Sequence, residues 1–131
     1  MKLGAFEARF SFGLLVISDP GSKDRHDDWD PREQRVHAGT DSLYVSVRGA
    51  ASGLVTVTCT DDITDYLGAA SNLLFSGSLE LPATRLKFYD PDKSICMTVP
   101  VHGSRARVEI YADDAEEPSE LLVQVISRAD S

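Results

Sequence analysis

Along most of this chain apolar and polar side chains alternate with a period of two, the spacing of β-strands with one buried face. Phe6, Ala8, Phe10 and Phe12 fall on one side of a first segment, and Glu7, Arg9 and Ser11 on the other. The run then becomes continuously apolar through Leu14, Leu15, Val16 and Ile17, so this strand either crosses a core or bends at Gly13. Leu43, Val45 and Val47 alternate with Ser42, Tyr44 and Ser46. Val55, Val57 and Cys59 alternate with Thr56, Thr58 and Thr60, a threonine phase suited to a solvated sheet surface, with Leu54 its one apolar member. Leu79 and Leu81 flank Glu80, Leu86 and Phe88 flank Lys87, and Ile95, Met97, Val99 and Val101 alternate without a break. Val108 and Ile110 lie between Arg107, Glu109 and Tyr111, and Leu121, Val123 and Val125 complete the pattern. The reading is all-β: an antiparallel β-sandwich of about eight strands. Its expected core includes Phe10, Phe12, Val45, Val57, Phe88, Met97, Val99, Val108, Ile110 and Val123.

One segment competes with this reading. Asp61, Asp62 and Asp65 are cap-type residues, and Ile63, Tyr66, Leu67, Ala70 and Leu74 have helical spacing. Either a short helix forms near residues 61–72, cut off by Gly68 and Ser71-Asn72, or the segment is irregular. The longest irregular stretch runs from Ser18 to Thr40, and loops of that length in a compact domain are usually functional or mobile.

The 131 residues make one domain, residues 1–131, with 42% hydrophobic and 26% charged side chains, an ordinary globular composition. The formal net charge is -8. Such a surface repels nucleic-acid phosphates and anionic membranes and favours cations, whether a basic protein surface or a metal ion. Glu7 and Arg9 interrupt the first apolar stretch before a signal-type segment can form, and no apolar run approaches the ~20 residues of a membrane span. A soluble cytoplasmic protein is therefore expected. Cys59 and Cys96 both fall within expected strands and read as reduced core residues, although adjacent strands could bring them close enough to bridge.

Of the 21 Asp and Glu residues, 16 sit in four segments: Asp19 to Glu33, Asp61 to Asp65, Asp90 with Asp92, and Asp113 to Glu120. Turns without carboxylates lie between them, at 49–53, 82–83 and 102–104. If successive strands alternate in direction, alternate connections share an end. Parity then gathers the acidic segments at one pole, with Arg48, Arg105 and Arg107 near the other.

Within the longest loop, Asp24, Asp27, Asp28 and Asp30 surround His26 and Trp29. These carboxylates, helped by Asp90 and Asp92, are candidate calcium ligands, since calcium takes six to eight oxygens on a flexible loop. The glycine and terminal Glu of an EF-hand loop are absent. The competing reading is a solvated loop neutralised locally by Lys23, Arg25 and Arg32. Trp29 is the only tryptophan, and it either anchors a partner or folds back to plug the end of the sandwich. The candidate partner-binding set is Asp27, Asp28, Trp29, Asp30, Asp113 and Asp114. Nucleophile-elbow, phosphate-loop and Cys-x-x-Cys motifs are absent, and His26, His37 and His102 lie in different segments. A carboxylate pair for a small hydrolase would need a deep cleft and a raised pKa. Acidic loops suggest an open charged surface instead, so a non-catalytic module without a cofactor is expected.

Two family resemblances follow from these residues. Ser18-Asp19-Pro20 and Asp90-Pro91-Asp92 are similar to loop fragments of calcium-binding C2 domains, which implies a calcium-dependent β-sandwich. Phe10 to Val47 resembles the competence-protein-J family of small bacterial nuclease inhibitors. The shared features are an apolar first strand, Asp28-Trp29, Gly39, and Asp41 before an alternating strand. That resemblance implies a bacterial inhibitor or immunity-type protein, acidic and non-enzymatic, whose carboxylates imitate phosphates in a basic substrate channel.

Overall fold

The computed structural model describes residues 2–10, 13–22, 36–49, 51, 53–62, 72–90, 96–114 and 118–127. They form ten strands: β1 (Lys2–Ala8), β2 (Leu14–Ser18), β3 (Val36–Ala38), β4 (Ser42–Ser46), β5 (Val55–Thr60), β6 (Asn72–Glu80), β7 (Arg85–Tyr89), β8 (Cys96–Pro100), β9 (Arg105–Ala112) and β10 (Glu120–Ser127). Two five-stranded sheets result, ordered β1-β5-β10-β9-β6 and β3-β4-β2-β7-β8. No α-helix occurs among the described residues. The helix considered near 61–72 lies outside them, except for Asp61, Asp62 and Asn72.

The alternating residues behave as their phase requires. Phe10, Val45, Val57, Phe88, Val99, Val108, Ile110 and Val123 are buried in one core shared by both sheets, together with Leu15, Ile17, Leu43, Leu79 and Leu86. Met97 is only half-buried, because it lies at the side of the sandwich against Gly4 of β1. Phe12 lies outside the described residues. The ten strands exceed the expected eight for two reasons. The first apolar run is broken at Gly13, which adopts a φ of 62° and separates β1 from β2. The three-residue β3 pairs onto β4 without an alternating pattern of its own length. The threonine phase of β5 is less solvated than expected: Thr60 is buried, its hydroxyl bonded to both the N–H and the carbonyl of Asp62. Cys96 is exposed rather than in the core, since it stands one residue out of phase with Met97 and Val99. Cys59 is buried in the other sheet, and both thiols are free.

Strand direction corrects the single acidic pole. β10 runs parallel to β5, with Glu120–Gln124 beside Thr56–Thr60, whereas the other pairings are antiparallel. The chain therefore leaves β5 at one end of its sheet and enters β6 at the opposite end. In the same way β2 finishes at the end opposite to the start of β3. The upper end gathers the β3–β4, β6–β7 and β8–β9 turns, tied by Glu80 N to Thr40 O (3.0 Å) and Leu81 N to Ser104 O (2.7 Å). The lower end gathers the β4–β5 and β9–β10 connections, tied by Arg48 N to Pro118 O (3.1 Å) and Thr56 N to Ser119 O (2.8 Å). Asp19, Asp61 and Asp62 stand at the upper end, and Asp90, Asp113 and Asp114 at the lower. The arginines are divided too, with Arg48 below and Arg105 above. Simple alternation fails because two connections run from end to end.

Candidate protein-binding site

The expected site residues are distributed unevenly. Asp24, Asp27, Asp28, Trp29, Asp30 and Asp92 lie outside the described residues. Asp113 and Asp114 are exposed where β9 turns into β10, and Asp90 is fully buried where β7 ends. Asp19 and Asp90 thus sit at opposite ends of the sandwich. Among the described residues no three His, Cys, Asp or Glu side chains are grouped to hold a metal.

Asp113 is anchored by its own hairpin. Its Oδ1 accepts from the N–H groups of Ser119 and Glu120, both at 3.0 Å, and its Oδ2 accepts from the Ser119 hydroxyl. Partial burial alone would raise its pKa. The donors at Ser119 and Glu120 outweigh that and hold the carboxyl below its ordinary value. Asp113 is therefore an ionised closure of the loop, with one face left to solvent. Beside it the strand register places Glu120 opposite Thr56, and Thr56 opposite Glu7. The Thr56 hydroxyl donates to Glu7 Oε2 at 3.1 Å. Glu7, Glu120, Asp113 and Asp114 thereby line the lower rim of the β1-β5-β10-β9 sheet, all exposed. Leu54 and Leu73, 43% and 54% exposed, lie at the same end. Adjacent strands are about 4.8 Å apart, so these carboxylates reach across the width of several strands. Arg48 stands behind this rim, its guanidinium against Gly53.

Higher on the same outer face is a network that residue spacing did not reveal. Glu109 Oε1 accepts from Gln124 Nε2 (2.7 Å) and the Tyr111 hydroxyl (3.3 Å), while its Oε2 faces Arg107 (3.5 Å) and the Ser76 hydroxyl (3.4 Å). Tyr111 is pushed above its ordinary pKa by desolvation and by the neighbouring Glu109 charge. The parts were visible as the polar phase of β9, but their partners come from β6 and β10, remote in sequence. Glu109 is thus locally neutralised by Arg107, whereas the rim carboxylates stand exposed.

The upper acids have another use. Asp19 is 3% exposed, and its two oxygens accept from Gly21 N (2.9 Å) and Ala83 N (3.0 Å). It clamps the end of β2 to the β6–β7 turn. His102 is exposed in the β8–β9 turn, whereas His37 lies on the outer face of the other sheet, opposite Tyr44. The described histidines therefore do not meet.

No protein-family model matches the chain, and no curated protein matches it. Solved structures do share its fold. Crocagin biosynthetic gene J is similar over 95% of this chain and 96% of that one, with a TM-score of 0.59 and 15% identity. ComJ from Bacillus subtilis, inhibitor of the DNA-degrading activity of NucA, is similar over 98% of each chain with a TM-score of 0.74, at 7% identity. The resemblance read in the sequence thus extends, as a shared fold, from one end of the chain to the other.

Proposed function

We propose that this chain is a non-catalytic binding protein of the inhibitor or immunity type, which uses its acidic surface to mask a basic site on another protein. The observation that carries this reading is the end-to-end fold match to ComJ, a nuclease inhibitor. Charge gives it a physical basis. A net -8 surface is attracted to a basic channel built for phosphates, and exposed carboxylates can take the place of those phosphates. Within the partner-binding set, Asp113 and Asp114 contribute from the lower rim with Glu7 and Glu120, and Asp27, Asp28, Trp29 and Asp30 from the long connection. Trp29 supplies the large aromatic surface that such interfaces favour.

The test is capture of partners from the source cells on immobilised protein, at low and at moderate salt. A basic protein should be retained at low salt and released as salt rises, because screening weakens an electrostatic contact. Capture of a neutral or acidic protein that ignores salt would overturn the reading. The competing calcium reading, with ligands among Asp24, Asp27, Asp28, Asp30, Asp90 and Asp92, predicts a melting temperature that climbs with millimolar calcium. Identical melting curves in calcium and in EDTA would eliminate it.

A further inference from the structure

We infer that the outer edge of β6 pairs antiparallel with the same edge of a second copy of this chain, about a two-fold axis at Gly77. An unpaired strand edge is a template for another strand, and folded proteins usually blunt such edges. Three of the four sheet edges here are blunted. β3 is three residues long. β8 is short, ends at Pro100, and packs through Met97 and Val99 against Gly4 of β1. β1 meets β8 in that contact, carries Lys2 and Glu7, and shifts register between Lys2 and Gly4. β6 is different. It is nine residues long, contains neither proline nor lysine, and among the described residues pairs only with β9.

The free run of β6 has defined limits. A register shift between Leu73 and Phe75 bounds it at one end. At the other, the Glu80 N–H donates to Thr40 O, so the amide of Glu80 points away from β9. Hydrogen-bonded and non-bonded pairs alternate along an antiparallel ladder. Ser78 and Ser76 therefore also turn their N–H and C=O groups outward, and both residues are exposed. Those four backbone groups are self-complementary. Rotation about Gly77 sets Ser76 of one copy against Ser78 of the other, and Ser78 against Ser76, giving four hydrogen bonds. The outward groups of both residues are then satisfied in both copies.

Charge agrees with this occupant. Two chains of net charge -8 repel, yet no ionisable side chain occurs between Leu73 and Leu79. Behind the seam, Arg107 and Glu109 neutralise one another. The inner side of the seam is apolar: the Phe75 ring occupies the space that a side chain at Gly77 would fill, and Leu79 follows in the same phase. A seam this short buries less than the roughly 1,000 Å² of a stable interface, so the dimer is weak and concentration-dependent.

Sedimentation equilibrium of the purified protein from roughly 10 μM to 1 mM tests this, a range that brackets weak association. The wild type should pass from monomer to dimer. Ser78→Pro should remain monomeric with an unchanged circular-dichroism spectrum, since it removes an N–H that β9 does not use. The double variant Ser76→Lys with Ser78→Lys, which keeps the backbone intact but sets like charges across the seam, should also remain monomeric. A wild type that stays monomeric throughout, or a lysine variant that dimerises as well as the wild type, would overturn the inference. The readout involves no other protein, so its failure leaves the inhibitor reading standing.

Discussion

A carboxylate in a loop looks the same in a sequence whether it waits for a partner or holds the fold together. Asp19 stands at the head of the first acidic segment, yet both its oxygens are consumed by backbone donors at Gly21 and Ala83. Sequence could not show this, because Ala83 is 64 residues away. Replacing Asp19 with Ala leaves the N–H of Ala83 without its acceptor in a part-buried site and should cost about 1 to 3 kcal/mol, measured by urea unfolding. The thiols differ just as sharply. Burial, with the Asp61 charge as a second cause, pushes Cys59 up to about 12, while Cys96 is exposed. At neutral pH an alkylating reagent should modify one thiol per folded molecule, at Cys96, and both only after denaturation. Mass spectrometry of the modified peptide checks this.

Strands were easier to read than their connections. A buried face imposes a two-residue period on six or eight consecutive positions, and that signal survives in any one sequence, as at Arg105–Ala112. A connection has no comparable signature. The segments 47–54 and 61–71 differ in charge, yet neither composition states which end of the sheet the next strand enters: β5 begins at the lower end, where β4 finishes, whereas β6 begins at the end opposite to where β5 finishes. The β9–β10 hairpin shows what fixes a loop locally. Its closure depends on ionised Asp113, whose carboxyl lies below its ordinary pKa because Ser119 and Glu120 donate to it. A depressed pKa contributes stability above the unfolded carboxyl's range, and that contribution is lost as pH falls through the folded value. Asp113→Asn should therefore lose stability relative to the wild type at neutral pH, and the gap should close under acid. Thermal melts of both proteins from neutral pH downwards would reveal it. A constant gap would mean that the charge is irrelevant to the closure.

At the scale of the whole molecule, the acidity of the described residues is spread rather than polarised. Asp61 and Asp62 lie above, the carboxylate rim below, and arginines stand near both. On the proposed inhibitor reading, the field of such a surface would steer a basic partner broadly, and contacts would decide where that partner settles. Neutralising Glu7, Asp114 and Glu120 to Gln, Asn and Gln should slow association with a captured partner several-fold at low salt while changing dissociation little. Stopped-flow or surface binding kinetics would separate the two rates. A loss confined to dissociation would place these side chains in direct, desolvated contact instead. The parallel pairing of β5 with β10 has one further consequence, for the order of assembly. β10 is the middle strand of its sheet, with β1 and β5 on one side and β9 and β6 on the other. Until it arrives, those two halves have no ladder in common, and the buried residues Leu121, Val123 and Val125 are missing from the core between the sheets. A chain emerging from the ribosome would hold two unjoined pairs of strands until β10 has followed them. Folding should then be slow, completed in one step when β10 enters the gap kept for it.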